Sequence, residues 1–257
     1  MHTFQHAGLS AARGRVGDEL IALGGAHGLI SFAVLGHLIA IQSSCATADL
    51  RAAAEHAAAA DRLAAEYELP MVGVFTEWFA ALRTALTGTP VAAEAAYRAA
   101  AQTLSGSGMP GVEQGLLPLA LFCVRLRHGL PLGTDPSEQY GPYEPWIRPI
   151  SLLQSDLHEE AATALRATPE PPHDLLYELR TCLTVHAAIG LREEAVLRRC
   201  YDRLLPATTE FAGAGSGLVT LEPVAHYLAA IATALGRSAV EHRRQARALI
   251  ERARQQT

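Results

Sequence analysis

Six arginines crowd the C-terminal end of the chain: Arg237, Arg243, Arg244, Arg247, Arg252 and Arg254. Two readings of that cluster stand side by side. It is a surface for an acidic partner or nucleic acid, with Arg243, Arg244 and Arg247 as candidate partner-binding residues, or it is a solvated helix face whose cations suit a helix C-terminus. No base-reading motif accompanies the charge, which favours the solvated face, and direct nucleic-acid binding is not expected. Gly213-Ala214-Gly215-Ser216-Gly217 has the composition of a phosphate-binding loop but not its context: no strand pattern precedes it and no Lys-Ser/Thr follows. A flexible loop between helices is the expectation there. Cys182 and His186 lie one helical turn apart, and His158 is followed by Glu159 and Glu160, yet neither group reaches a zinc-binding pattern. A serine-nucleophile elbow and a reactive-cysteine signature are both missing, and Glu193 and Glu194 fit the first turn of a helix as acids complementing its dipole. No catalytic centre, metal or cofactor is expected.

Composition excludes further chemistry. All 21 basic residues are arginine, and asparagine is missing too, a pattern of G- and C-rich coding that rules out a phosphate-loop lysine, a Schiff-base lysine and a catalytic-loop asparagine. The formal net charge of −5 argues against a generally basic nucleic-acid grip. Cys45, Cys123, Cys182 and Cys200 are widely spaced, and the Met1 region lacks the order of a secretory signal, so a reduced cytoplasmic setting is expected. The longest apolar run, Leu29 to Ile41, falls short of the roughly 20 residues that span a bilayer and reads as a buried core helix.

The elements that would position these residues are helices. Alanine dominates an apolar fraction of 49%, which favours closely packed helices over sheets. Phe75, Trp78, Phe79, Leu82 and Leu86 follow the spacing of one helix face, with Thr76, Glu77, Arg83 and Thr84 elsewhere. Thr87-Gly88 ends that helix with a glycine suited to the left-handed cap, and Thr89-Pro90 opens the next, through Ala92 to Leu104. Near the C-terminus Val224, Tyr227, Leu228, Ile231 and Leu235 line a helix ending at Gly236, after which Ser238 and Glu241 have capping-box spacing. Ala93, Tyr97 and Ala100 repeat the small, large, small order of Ala239, Arg243 and Ala246, and Ala53, Ala57, Ala60 and Ala64 form another small-residue face. The expected fold is all-α, an α-solenoid of antiparallel, tetratricopeptide-like helical hairpins. Residues 1–129 and 150–257 form its halves, joined by a proline-rich hinge or loop at 130–149. Tyr140, Tyr143 and Trp146 in that segment either pack on the core or cover a ligand pocket between the halves; packing is the favoured outcome.

One stretch resembles a known family. Tyr201-Asp202-Arg203-Leu204-Leu205-Pro206, Ala212 to Gly217, Pro223-Val224-Ala225-His226-Tyr227-Leu228 and Ala234-Leu235-Gly236-Arg237 are similar to the C-terminal repeat region of large actinobacterial transcription regulators. These are the antibiotic-regulatory-protein (SARP) family and the large ATP-binding LuxR-type activators. The likeness is most distinctive over 192–253. It implies tetratricopeptide-like repeats that relay or restrain an ATPase module and a DNA-binding domain, hence a protein partner of one of those kinds. The chain has neither a recognisable helix-turn-helix nor a Walker A loop, so neither activity passes to any residue here. The role implied is a non-catalytic interaction and regulatory module; the rivals are a small-molecule sensor and an enzyme of unrecognised type.

Overall fold

A computed structural model describes residues 7–104, 114–132 and 139–256, and within them the chain is all-α. Twelve α-helices occur among the described residues: α1 (Ser10–His27), α2 (Ile30–Ala46), α3 (Leu50–Glu66), α4 (Met71–Thr87), α5 (Pro90–Leu104), α6 (Leu116–Arg127), α7 (Glu144–Gln154), α8 (His158–Ala167), α9 (Tyr177–Leu191), α10 (Glu194–Leu204), α11 (Val224–Ala234) and α12 (Val240–Arg254). Neighbours in sequence pack against each other in pairs, as expected of helical hairpins.

The turns explain why. Gly28, Ala48, Glu68, Gly129, Asp156, Arg192 and Gly236 all adopt left-handed φ just after a helix. In each case the next residue's N–H bonds to the carbonyl five positions back, for example Asp49 to Ser44 at 2.8 Å, Glu193 to Ala188 at 2.9 Å and Arg237 to Ala232 at 2.7 Å. This Schellman closure satisfies end carbonyls and reverses the chain in very few residues. Four of the seven positions are not glycine, so local strain is accepted to keep one turn geometry throughout the stack.

Local expectations mostly hold, with exceptions of physical interest. Thr89 caps α5 by accepting from the Ala92 N–H at 3.3 Å, and Pro90 is its first residue. Gly88, however, is extended (φ −102°, ψ −166°), not left-handed, and α12 begins without a side-chain cap, so the Ser238–Glu241 capping box does not form. Thr76 is buried, because its hydroxyl donates to Asp61 at 2.8 Å across to α3. Glu144 to Pro149 belong to α7, which tolerates Pro145 near its start and Pro149 inside, so the proline-rich stretch gives way to helix earlier than its composition suggests. Its residues 133–138, Pro136 among them, lie outside the described residues.

The halves do not simply follow one another. Leu249 and Ala253 of α12 pack with Leu50, Ala53, Phe79 and Leu82 of α3 and α4, and the segment between α10 and α11 lies against α2. The Phe211 N–H donates to the Ala46 carbonyl at 2.8 Å, and its buried ring stands under the Arg127 guanidinium. Beginning and end are thereby tied together by packing between residues more than 160 positions apart.

Candidate functional site

The C-terminal arginines separate once the helices are placed. Arg244 is held by Glu241 through two hydrogen bonds at 2.9 and 2.6 Å, Arg252 reaches Asp49 at 3.5 Å, and Arg237 stacks on Tyr201. Arg243 leans back across the α11–α12 hairpin to Thr233 Oγ1 at 3.0 Å. Arg247 is exposed and makes no hydrogen bond or ion pair among the described residues. Arg243 and Arg247 line a groove of about 560 Å³ on that hairpin, with alanines along its floor, Ile189 and Ile250 at its edges, and His226 and Thr233 as its other polar groups. Among the described residues no carboxylate lines it. The three predicted residues do not act alike: Arg243 and Arg247 line the groove and also, with Glu251, the adjoining depression that holds Arg244, which Glu241 neutralises.

The groove follows from local sequence. Alanine at 229, 230, 234 and 246 keeps the facing sides of α11 and α12 shallow, while the arginine stems of α12 form its wall. A peptide laid there meets a slightly apolar floor and cations at the side, an arrangement suited to carboxylates on a small-residue backbone.

A second polar cluster was not foreseen. Ser10, Arg13, Glu178 and Glu210 converge from α1, α9 and the α10–α11 segment. The Ser10 hydroxyl donates to Glu210 Oε1, and its backbone N–H does so at 3.3 Å. Arg13 donates to the Gly215 carbonyl at 3.0 Å, and the Gly8 backbone hydrogen-bonds Glu178. Burial, helped by the Glu210 charge and opposed by Arg13 and the Gly8 bond, pushes the Glu178 carboxyl up to about 7. Burial raises Glu210 as well, against the Ser10 hydrogen bonds and Arg13. The sequence does hold one signal: Glu178 is an acid between Tyr177 and Leu179 at the start of a nearly uncharged helix.

Other expectations change character. The glycine-rich segment 213–217 is buried throughout, not a flexible surface loop. A Cβ on Gly213 would come within 2.6 Å of Leu179, and the Ser216 hydroxyl closes the turn on the Gly213 carbonyl at 2.7 Å. Tyr140, Tyr143 and Trp146 are buried, and Arg180 stacks on both Tyr143 and Trp146. Packing is thus the outcome for these aromatics. Cys182 is fully buried and its thiol is raised far above the ordinary value by desolvation; burial holds His186 below its ordinary value. Among the described residues no three His, Cys, Asp or Glu side chains are grouped to hold a metal, and no helix is long and apolar enough to cross a membrane. In comparisons with known proteins, no family model, no curated protein and no solved structure matches the chain.

Proposed function

We propose that this protein is a non-catalytic helical-repeat module that binds an acidic segment of a protein partner in the α11–α12 groove. The observation that carries the reading is the groove itself: Arg243 and the unengaged Arg247 stand over an alanine floor with no lining carboxylate. A pair of guanidinium groups beside a shallow apolar channel selects for carboxylates by Coulomb attraction and against basic segments by repulsion. The resemblance of residues 192–253 to the repeat region of large regulators supplies the setting: a regulatory part acting on a DNA-binding or ATPase protein in the bacterial cytoplasm.

Affinity capture of the whole chain from its native lysate, compared with the Arg243→Glu/Arg247→Glu double variant, tests this reading. The expected outcome is recovery of a DNA-binding or ATPase protein by the wild type, and loss of about tenfold or more of it with the variant, equivalent to at least ~1.4 kcal/mol. Capture that is indifferent to the charge reversal overturns the groove as the binding surface. Arg244→Glu serves as the control, because Arg244 is already paired.

A further inference from the structure

α1 and α2 approach closely through small residues: a Cβ on Gly36 would lie 2.7 Å from the Gly17 carbonyl oxygen, and one on Gly24 2.7 Å from the Ala33 nitrogen. Those pairs mark the seam of an antiparallel hairpin. Counting about 100° per residue from the seam, Val16, Leu20 and Leu23 of α1 and Phe32, Leu35 and Ile39 of α2 fall on one and the same side of it. Nearer the α1 N-terminus that side is covered, since Arg13 bonds Gly215 and Gln42 abuts Gly217. Toward the other end it is bare: Leu23 is 55% exposed, Phe32 50%, Leu35 47% and Leu29, at the α2 start, 46%.

This exposure is unusual for these residues. α2 contains no Asp, Glu, Lys or Arg, with His37 its only ionisable side chain apart from the buried Cys45. A helix apolar on nearly all sides normally has all sides covered. Val34, Ala40, Ile41 and Cys45 meet the core of the chain, whereas Phe32 and Leu35 point away from it. Leu23, Leu29, Phe32 and Leu35, each about half exposed, together present roughly 400 Å² of apolar surface, the size of the largest patch a monomer carries.

We infer that this face is a twofold interface between two copies of the chain, formed by the α1–α2 hairpins as a four-helix layer. The six stripe residues carry no charge, and the same count adds only exposed His27 beside Leu23, so an identical face brings no carboxylate or guanidinium against its copy. Two such faces bury about 800 Å² together, the scale of a weak, reversible association and not of an obligate one. A closed pair uses the same patch on both copies, which a flat uncharged face permits. The groove on α11 and α12 involves none of these residues, so pairing gives a particle with two grooves.

Sedimentation equilibrium of the full chain over about 1 to 200 μM tests the interface, with a monomer–dimer midpoint expected in the micromolar range. Leu35→Glu is expected to raise the dissociation constant by about a hundredfold or more with unchanged helical circular dichroism, because the residue touches little of its own core. Phe32→Gln is the second variant, should the first fail to fold. A chain monomeric throughout the range overturns the inference. So does a dimer that persists in both variants, or an open-ended series of oligomers.

Discussion

At the scale of single residues, Glu178 and Glu210 carry the most consequence, because two buried carboxylates share one guanidinium, Arg13. With both ionised the cluster holds an uncompensated negative charge; with one proton it is neutral. Glu178 binds its proton more tightly folded (about 7) than at its ordinary value of 4.5. Its contribution to stability is therefore complete below about pH 4.5 and is lost as pH rises through 7, a swing of about 3 kcal/mol at most. Glu178→Gln is expected to flatten that slope, matching or exceeding wild-type stability at pH 8 and gaining nothing at pH 5. Urea melts at the two pH values check this, and a variant with an unchanged slope would show that another group carries it. The pair escapes a reading of sequence because Ser10 and Glu210 are 200 positions apart. Arg243 and Arg247 were legible, since charge and spacing on one helix suffice to place them together. Which of the cluster's arginines is engaged was not, since Thr233 and Glu241 choose among them through side-chain geometry.

At the scale of elements, local rules account for the helices and most of their ends. The three-and-four spacing of Trp78, Phe79 and Leu82 gives α4 a core face, and those residues are buried. Ala53, Ala57 and Ala60 of α3 are buried too, while Arg51 and Glu55 stay in solvent as a loose ion pair. The α1–α2 hairpin depends on glycine at its seam. Gly36→Ala puts a methyl group against the Gly17 carbonyl and the Ile21 backbone at 2.7 to 2.9 Å. It is expected to destabilise the chain by about 1 to 3 kcal/mol through overpacking, despite alanine's better helix propensity. Thermal melting measures the effect, and a neutral or stabilising result would mean that the seam has slack. Where element-level reading failed, at Gly88 and at the Ser238 cap, the chain satisfies its backbone differently: the Gly88 N–H bonds the Thr84 carbonyl at 2.8 Å in an extended conformation.

At the scale of the whole molecule, the buried crossing at 210–221 unites the two halves. Phe211 is fully buried in a cluster with Ile41 and Leu249, and hydrogen bonds within the crossing, such as Leu221 to Ala212 at 2.9 Å and a short 3-10 turn at Ala214–Ser216, satisfy its backbone without α-helix. Phe211→Ala is expected to cost about 3 to 5 kcal/mol. Because the core is shared, both halves should unfold together. Trp78 in α4 and Trp146 in α7 are both buried, so Trp78→Phe and Trp146→Phe leave one fluorescent reporter each, in α4 of the N-terminal half and in the helix that leads from the proline-rich segment into the C-terminal half. In each single-tryptophan chain the fluorescence and the helical circular dichroism are expected to share one urea midpoint; two separated midpoints within one chain would show independent halves.

The sequence by itself determined that this chain is all-α and built of helical hairpins, and where several helices begin and end, because periodicity, caps and turns act over a few residues. Only the tertiary structure decided that Gly213 to Gly217 is core rather than surface, that Tyr140, Tyr143 and Trp146 are packed, that Phe32 and Leu35 of an apolar helix face outward, and that α12 returns to α3 and α4. Each of these depends on which surfaces meet between residues distant in sequence, from tens of positions for Tyr143 and Arg180 to more than a hundred for Leu249 and Leu82. Burial of an apolar side chain is rewarded by area alone, so composition shows that such surfaces must be covered and the fold selects by what.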